Sequence, residues 1–157
     1  MRDVTLVLPI RDGKILLGMK KRGFGAGKIN GFGGKLNEGE SIEVAAVREL
    51  EEEIGISAEI WNLEKVGELD FYFPHHEDDS WNQRVHLFLV KEWEGEPVES
   101  EEMSCEWYNF KDVPFEKMWD DDKYWLPRVL DGKKIKGVFH FGGDNNALDN
   151  HAIINLL

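Results

Sequence analysis

Three glutamates raise the first chemical question. Glu49, Glu52 and Glu53 lie in the segment Arg48-Glu49-Leu50-Glu51-Glu52-Glu53-Ile54-Gly55-Ile56, at i, i+3 and i+4. In a helix this spacing puts them on one face spanning roughly 100°. Carboxylates gathered in this way repel one another. A hard divalent cation relieves the repulsion, because Mg2+ and Mn2+ prefer carboxylate oxygen. Arg48, four residues before Glu52, can pair with it and hold part of the cluster in place. Upstream, Gly33 and Gly34 let a loop backbone approach a phosphate or a cation closely, and Gly39 permits the turn into the helix. For the glutamates alone, a solvated acidic helix face with one local ion pair is an equally good account.

A second set of side chains suits base recognition. The run Met118-Trp119-Asp120-Asp121-Asp122-Lys123-Tyr124-Trp125 offers Trp119 as a flat face for a purine, a contact worth about 1–3 kcal/mol per base. Asp121 and Asp122 can accept hydrogen bonds from a base, and either can donate one when protonated. Asn30 can do both. The plainer alternatives stay open on these residues alone. Trp119 would then be an ordinary core aromatic, and the aspartates would cap a following helix. Phe24 and Phe71 can close such a pocket or simply fill the core, and Thr5 can line it or be an ordinary strand residue. The five histidines have no metal-ligand spacing. His86 reads as a packed strand histidine, and His75 and His76 as loop surface.

These residues need elements to position them. Val4 to Ile10 and Lys14 to Lys20 read as strands joined at Asp12-Gly13, a favoured hairpin turn. Gly23 to Gly39 reads as a loop. Ser41 to Ile54 carries the strongest helix signal: Ile42, Ala45, Ala46 and Leu50 form a stripe, Ser41 a cap and Gly55 a stop. Ile56 to Ile60, Lys65 to Phe73, Val85 to Trp93, Glu106 to Phe110 and Ile135 to Phe141 read as strands, with Pro74 to Asn82 a loop and Tyr124 to Leu130 a helix. One mixed α/β domain over residues 1–157, with a single sheet and flanking helices, is the expectation.

Composition bounds the function. The 157 residues include 19 Lys+Arg and 31 Asp+Glu, a net charge of −12, the wrong sign for a general nucleic-acid binder. The acidic total hides a basic stretch at residues 11–28: Arg11, Lys14, Lys20, Lys21, Arg22 and Lys28 against Asp12 alone. The lone cysteine, Cys105, excludes an intramolecular disulfide framework and a cysteine-based zinc cluster, which suits a reducing compartment. No run has the form of a signal peptide or is long enough to span a membrane. A cytoplasmic protein without nucleic-acid polymer or membrane partners is expected, acting as a monomer.

From Gly34 to Ile56 the chain resembles the Nudix hydrolase superfamily, whose box reads G-x5-E-x7-R-E-U-x-E-E-x-G-U with U a bulky aliphatic. Every fixed position is present, Leu50 and Ile56 standing in the aliphatic places. The resemblance implies an α/β/α sandwich with a mixed sheet, and a loop–helix–loop that binds Mg2+ (or Mn2+) and hydrolyses a nucleoside diphosphate linked to another group. It makes Glu49, Glu52 and Glu53 metal ligands and catalytic groups beside Arg48, with the Gly33 carbonyl nearby and Glu40 supporting the loop. Glu53 is the candidate to accept the proton of the attacking water.

Three further stretches are similar to the animal-type oxidised purine nucleoside triphosphate hydrolases: Leu17 to Gly27, Asn30 to Lys35 and Met118 to Trp125. That similarity implies that Asn30, Trp119, Asp121 and Asp122 hold the base, with Thr5, Phe24 and Phe71 around it. Lys20 would lie near the phosphates and Glu102 near the metal. The implied reaction converts 8-oxo-dGTP and 2-oxo-dATP to monophosphate and pyrophosphate, sanitising the nucleotide pool. Departures from the animal pattern are Asp120 in place of a proline, a longer connection at Trp61-Asn62, and Gln83 and Arg84 before Val85-His86. Alternatives are a Nudix enzyme acting on O6-alkylated purine nucleotides or dinucleotide polyphosphates, and a non-catalytic nucleotide-sensing module.

Overall fold

The computed structural model describes residues 1–23 and 25–156. Strands β1 (Arg2–Arg11) and β2 (Lys14–Lys20) form the expected hairpin, with Asp12 and Gly13 both at positive φ, which matches the strand twist. The two strands pair only at Ile10↔Ile15 and Arg11↔Lys14 and then diverge. β2 goes on to pair with β3 (Ile29–Asn30) and, along its whole length, with β6 (Met103–Asn109). β1 runs parallel to β5 (Gln83–Val90) from Arg2↔Gln83 to Pro9↔Val90. Beyond β5 the sheet continues through β4 (Leu63–Tyr72), β7 (Lys134–Phe141) and β8 (Leu148–Leu156), giving the order β3-β2-β1-β5-β4-β7-β8 with β6 on β2. Into the gap between β1 and β2 comes the glycine loop, bridged to β1 at Val7↔Phe32 and Val4↔Lys35.

Alternation along β1 assigns one helix to each face of this mixed sheet. Val7, with Phe32, Phe88 and Val90, packs under Ala46, Leu50 and Ile54 of helix α1 (Ile42–Ile54). Val4 and Leu8, with Leu69, Phe71, Val85 and Leu87, pack with Trp125, Leu126 and Val129 of helix α2 (Asp122–Leu130). The α1 ends follow the expectation. The Ser41 hydroxyl accepts from the Val44 N–H at 3.2 Å, and the Gly55 N–H donates to the Glu51 carbonyl. Among the described residues no helix is long and apolar enough to cross a membrane.

Several elements differ from the sequence-based expectation. Ile56–Ile60 is not a strand: it contributes one bridge, Ser57↔Glu94, and turns into a 3-10 helix over Ile60–Asn62. Reciprocal capping between Glu59 and Asn62 favours that turn, which leaves Trp61 76% exposed. β5 ends at Val90, short of Trp93, and α2 begins at Asp122, ahead of Tyr124. β3 interrupts the expected loop, and β8 was not anticipated. Its side chains are mostly exposed, so it lacks the apolar alternation of a buried strand. Asp120, the residue in the proline place, anchors it: its carboxylate accepts from the Leu148 N–H and from Lys123 Nζ, both at 2.8 Å.

Replacing the cap, Ser41→Ala, is expected to cost about 1 kcal/mol of unfolding free energy. Urea denaturation followed by far-UV circular dichroism measures it, and a loss within about 0.2 kcal/mol of zero would show that α1 is held by packing alone.

Candidate active site

Arg48 organises the loop–helix junction. Its guanidinium donates to Glu40 at 2.7 and 2.9 Å, to Glu49 at 3.0 Å, to Glu52 at 3.1 Å and to the Lys35 carbonyl at 3.0 Å. Glu40 in turn accepts from the Asn37 N–H at 2.8 Å, so the segment before α1 is tied to the helix through one cation. The Arg48 hydrogen bonds hold the Glu40 carboxyl below its ordinary range. Glu52 points outward, its side chain 58% exposed, whereas Glu49 is mostly covered.

Glu53 turns inward. One carboxylate oxygen accepts from the Gly33 N–H at 2.9 Å. Burial, followed by the negative charge of Glu49, pushes the Glu53 carboxyl up to about 8. Gly33 is required by contact with backbone, while Gly34 faces the end of a flexible side chain. A Cβ on Gly33 would lie 1.9 Å from the Thr5 carbonyl oxygen, and one on Gly34 would lie 2.8 Å from a Glu49 carboxylate oxygen. Lys20 stands near Glu53 and Glu102, and Glu102 is ion-paired with Arg22 on the rim.

A cavity of about 310 Å3 opens from Glu53 toward α2, where β1 and β2 diverge. At its far end Asp121 and Asp122 are almost wholly buried. Asp121 begins α2 without making a side-chain cap; its carboxylate accepts instead from the Trp125 indole N–H at 2.7 Å. One oxygen of Asp122 is buried with no protein partner among the described residues. Burial raises both carboxyls, and the adjacent Asp121 charge raises Asp122 further. The capping alternative for these residues therefore does not hold. Trp119 lines the cavity nearly perpendicular to the Phe141 ring, and Lys28 lies over it at 5.4 Å. Phe71 stacks on Phe139 at 5.0 Å and serves both as core and as cavity wall. Asn30 accepts from the Gly31 N–H through its side-chain oxygen, which leaves its NH2 for a ligand.

Of the residues singled out from the sequence, Thr5, Lys20, Asn30, Gly33, Glu53, Phe71, Trp119, Asp121 and Asp122 converge on this cavity. The Thr5 hydroxyl is engaged with the Gly34 backbone at 3.3 and 3.4 Å. Glu49 borders the glycine loop, while Arg48, Glu52 and Glu102 stand outside the cavity lining. Phe24 lies outside the described residues. Sequence reasoning missed Arg2, Lys28 and Lys35, which with Lys20 make the lining basic. The basic stretch pointed to Lys28; nothing local marks Arg2. Of the two departures before Val85, only Gln83 lines the cavity. Arg84 binds Asp70 on the opposite sheet face at 2.8 and 3.1 Å. His86 is buried as expected, 2.9 Å from Asp3 and 3.1 Å from Lys65 Nζ.

The donor set fits a divalent cation. Glu49 and Glu53 meet beside Gly33, where the Thr5 backbone leaves no room for a side chain, with Glu52 on the outer side of the same helix, and a cation there would offset both the burial and the mutual repulsion of Glu49 and Glu53. The NUDIX domain pattern matches residues 1–129. This chain belongs to the Nudix family. Two relatives are named oxidized purine nucleoside triphosphate hydrolase. The Danio rerio protein is 48% identical over 89% of this chain and 86% of its own length, and the Mus musculus protein 47% identical over 94% and 91%. Among solved structures, the MutT protein of Bacillus halodurans superposes with a TM-score of 0.81 at 26% identity, covering 98% of this Nudix chain and 97% of its own.

A carboxyl raised by burial makes the folded protein hold more protons than the unfolded chain between its two pKa values. Stability therefore falls as pH rises through that window. For Glu53 the window runs from about 4.5 to about 8. With metal chelated, the melting temperature is expected to fall from pH 5 to pH 8, and Glu53→Gln should flatten the fall. Parallel pH curves for the two proteins would contradict the assignment.

Proposed function

We propose that this Nudix chain hydrolyses oxidised purine nucleoside triphosphates, 8-oxo-dGTP and 2-oxo-dATP among them, to the nucleoside monophosphate and pyrophosphate, and so sanitises the nucleotide pool. One observation carries the reading: a single cavity is lined both by two buried aspartates whose carboxyls burial raises and by Glu53 from the glutamate face of α1. The near-full-length similarity to the two named hydrolases supports it. In this proposal the protein works on free nucleotides as a cytoplasmic monomer, without nucleic-acid polymer or membrane.

Glu49, Glu52 and Glu53 would hold Mg2+, or Mn2+ in its place, with the Gly33 carbonyl and Glu102 close by. When bound, the cation supplies charge neutralisation at the phosphate oxygens. The chain's own groups do the rest. Glu53, held inward by the Gly33 N–H and lining the cavity, accepts the proton of the water that attacks phosphorus. The P–O bond to pyrophosphate breaks as the new bond to water oxygen forms. Arg48 is a positioning residue, fixing Glu49 and Glu52 and clamping the loop. Lys20, Lys28, Lys35 and Arg2 give a basic mouth to a protein of net charge −12, drawing the polyanion inward. Trp119 stacks on the base, and Asn30 donates its NH2. The aspartate pair, holding a shared proton, presents donor and acceptor in either order, so it serves both oxidised bases.

Release of pyrophosphate from 8-oxo-dGTP in Mg2+ is the direct test, scored by kcat/KM beside 2-oxo-dATP, dGTP and a dinucleotide polyphosphate. Glu53→Gln is expected to lower kcat at least about a hundredfold with the fold retained, as loss of a catalytic base does. Turnover near that of the unaltered protein would remove Glu53 from the mechanism. Asp121→Asn and Asp122→Asn each fix one polarity and should shift the ratio of kcat/KM between 8-oxo-dGTP and 2-oxo-dATP. Equal losses on both substrates at every pH would contradict the shared-proton role.

A further inference from the structure

Gln83 offers a carboxamide whose oxygen and NH2 are both uncommitted among the described residues, whereas the Asn30 oxygen is already held by the Gly31 N–H. Gln83 opens β5, half-buried, and its neighbours across the sheet are Arg2 on β1 and Phe71 on β4. All three side chains line the cavity, and apart from Arg2 the wall around Gln83 is apolar, with Phe71, Phe73 and Val85. Among the described residues its carboxamide makes no hydrogen bond to the protein, unlike Arg84 beside it, which is committed to Asp70. Asp121 and Asp122 approach from the start of α2, so a base held by the aspartates meets Gln83 from a different wall.

A free primary carboxamide offers one acceptor and one donor side by side. An undamaged purine shows it only the N7 acceptor beside an apolar C8–H. Oxidation at C8 changes that edge: the 8-oxo form presents an N7–H donor next to a C8 carbonyl acceptor, itself a cyclic amide. The two amides are complementary, oxygen to N7–H and NH2 to the C8 oxygen. We propose that Gln83 reads the oxidised N7–C8 edge of the purine by this paired amide contact and is a specificity-determining residue of the cavity. The proposal rests on the base-pocket reading above. It adds a direct contact to the lesion, separate from the aspartates' contact with another edge.

Product binding tests the contact without turnover. Calorimetric Kd values for 8-oxo-dGMP, dGMP, 2-oxo-dAMP and dAMP are measured on the full chain and on Gln83→Leu and Gln83→Glu, with thermal unfolding alongside. Because the Gln83 side chain makes no hydrogen bond among the described residues, neither change orphans a partner there. A matched bidentate contact discriminates by about tenfold or more. The 8-oxo-dGMP to dGMP affinity ratio is therefore expected to fall about tenfold in both variants. The 2-oxo-dAMP to dAMP ratio, whose lesion lies away from N7–C8, should stay within about twofold. An unchanged 8-oxo ratio, or an equal fall in both ratios, would overturn the proposal. Trp119→Ala is the separate arm for the pocket itself. If it leaves every nucleotide affinity unchanged, the base-pocket reading fails and takes this proposal with it. If it weakens all four while Gln83 proves inert, only the Gln83 assignment fails.

Discussion

One guanidinium holds the chemical half of this protein together. Arg48 is shared among Glu40, Glu49, Glu52 and the Lys35 carbonyl, so the loop before α1 and the outer face of α1 have a common fixed point. Without it, three glutamates on one helix face would repel, and the glycine loop would lose its tie to the helix. The charge accounting explains why Glu53 can turn inward. Glu49 and Glu52 are partly neutralised by Arg48, which leaves Glu53 to meet the Gly33 N–H in a site that disfavours its ionised form.

The same physics recurs at the far end of the cavity with a different outcome. Asp121 and Asp122 have no guanidinium among the described residues; the Trp125 indole donates to Asp121, and burial raises both carboxyls. The cavity thus has two acidic poles. Glu53 marks one and the aspartate pair the other, with Lys20, Lys28, Lys35 and Arg2 also in the lining. Similar side chains acquire different properties from burial and neighbours alone.

The elements that could be read from the sequence were those whose determinants are local. The α1 helix shows its cap, its stripe and its stop in consecutive residues, and its glutamates are spaced by the helix itself. The Asp12-Gly13 hairpin is equally local. What escaped depends on distant partners. β8 is an exposed edge strand held by its backbone pairing to β7, by Asp120 at its first residue, and by contacts of His151 with Tyr124 and Phe139 and of Asn155 with Arg128. Ile56–Ile60 had strand-like side chains, yet the Glu59–Asn62 capping pair won. Asp121 and Asp122 carried two readings until their burial against Trp125 removed one. Arg2 and Gln83 meet because β1 and β5 run parallel, and no pattern within either strand announces that pairing. Of Gln83 and Arg84, only strand parity decides which faces the cavity.

The short pairing of β1 with β2 has a mechanical consequence. After two residue pairs the strands separate, so the sheet has a seam, stitched at the hairpin and again where the glycine loop bridges to β1. Asn30 belongs to one side of that seam and Gln83 to the other, with α2 overhanging from the second side. A base clasped by groups from both sides, as proposed, would act as a strut across an interval where β1 and β2 are joined only through the inserted glycine loop. Recognition and bracing would then be one event: the bound nucleotide would tie the two sides of the seam together.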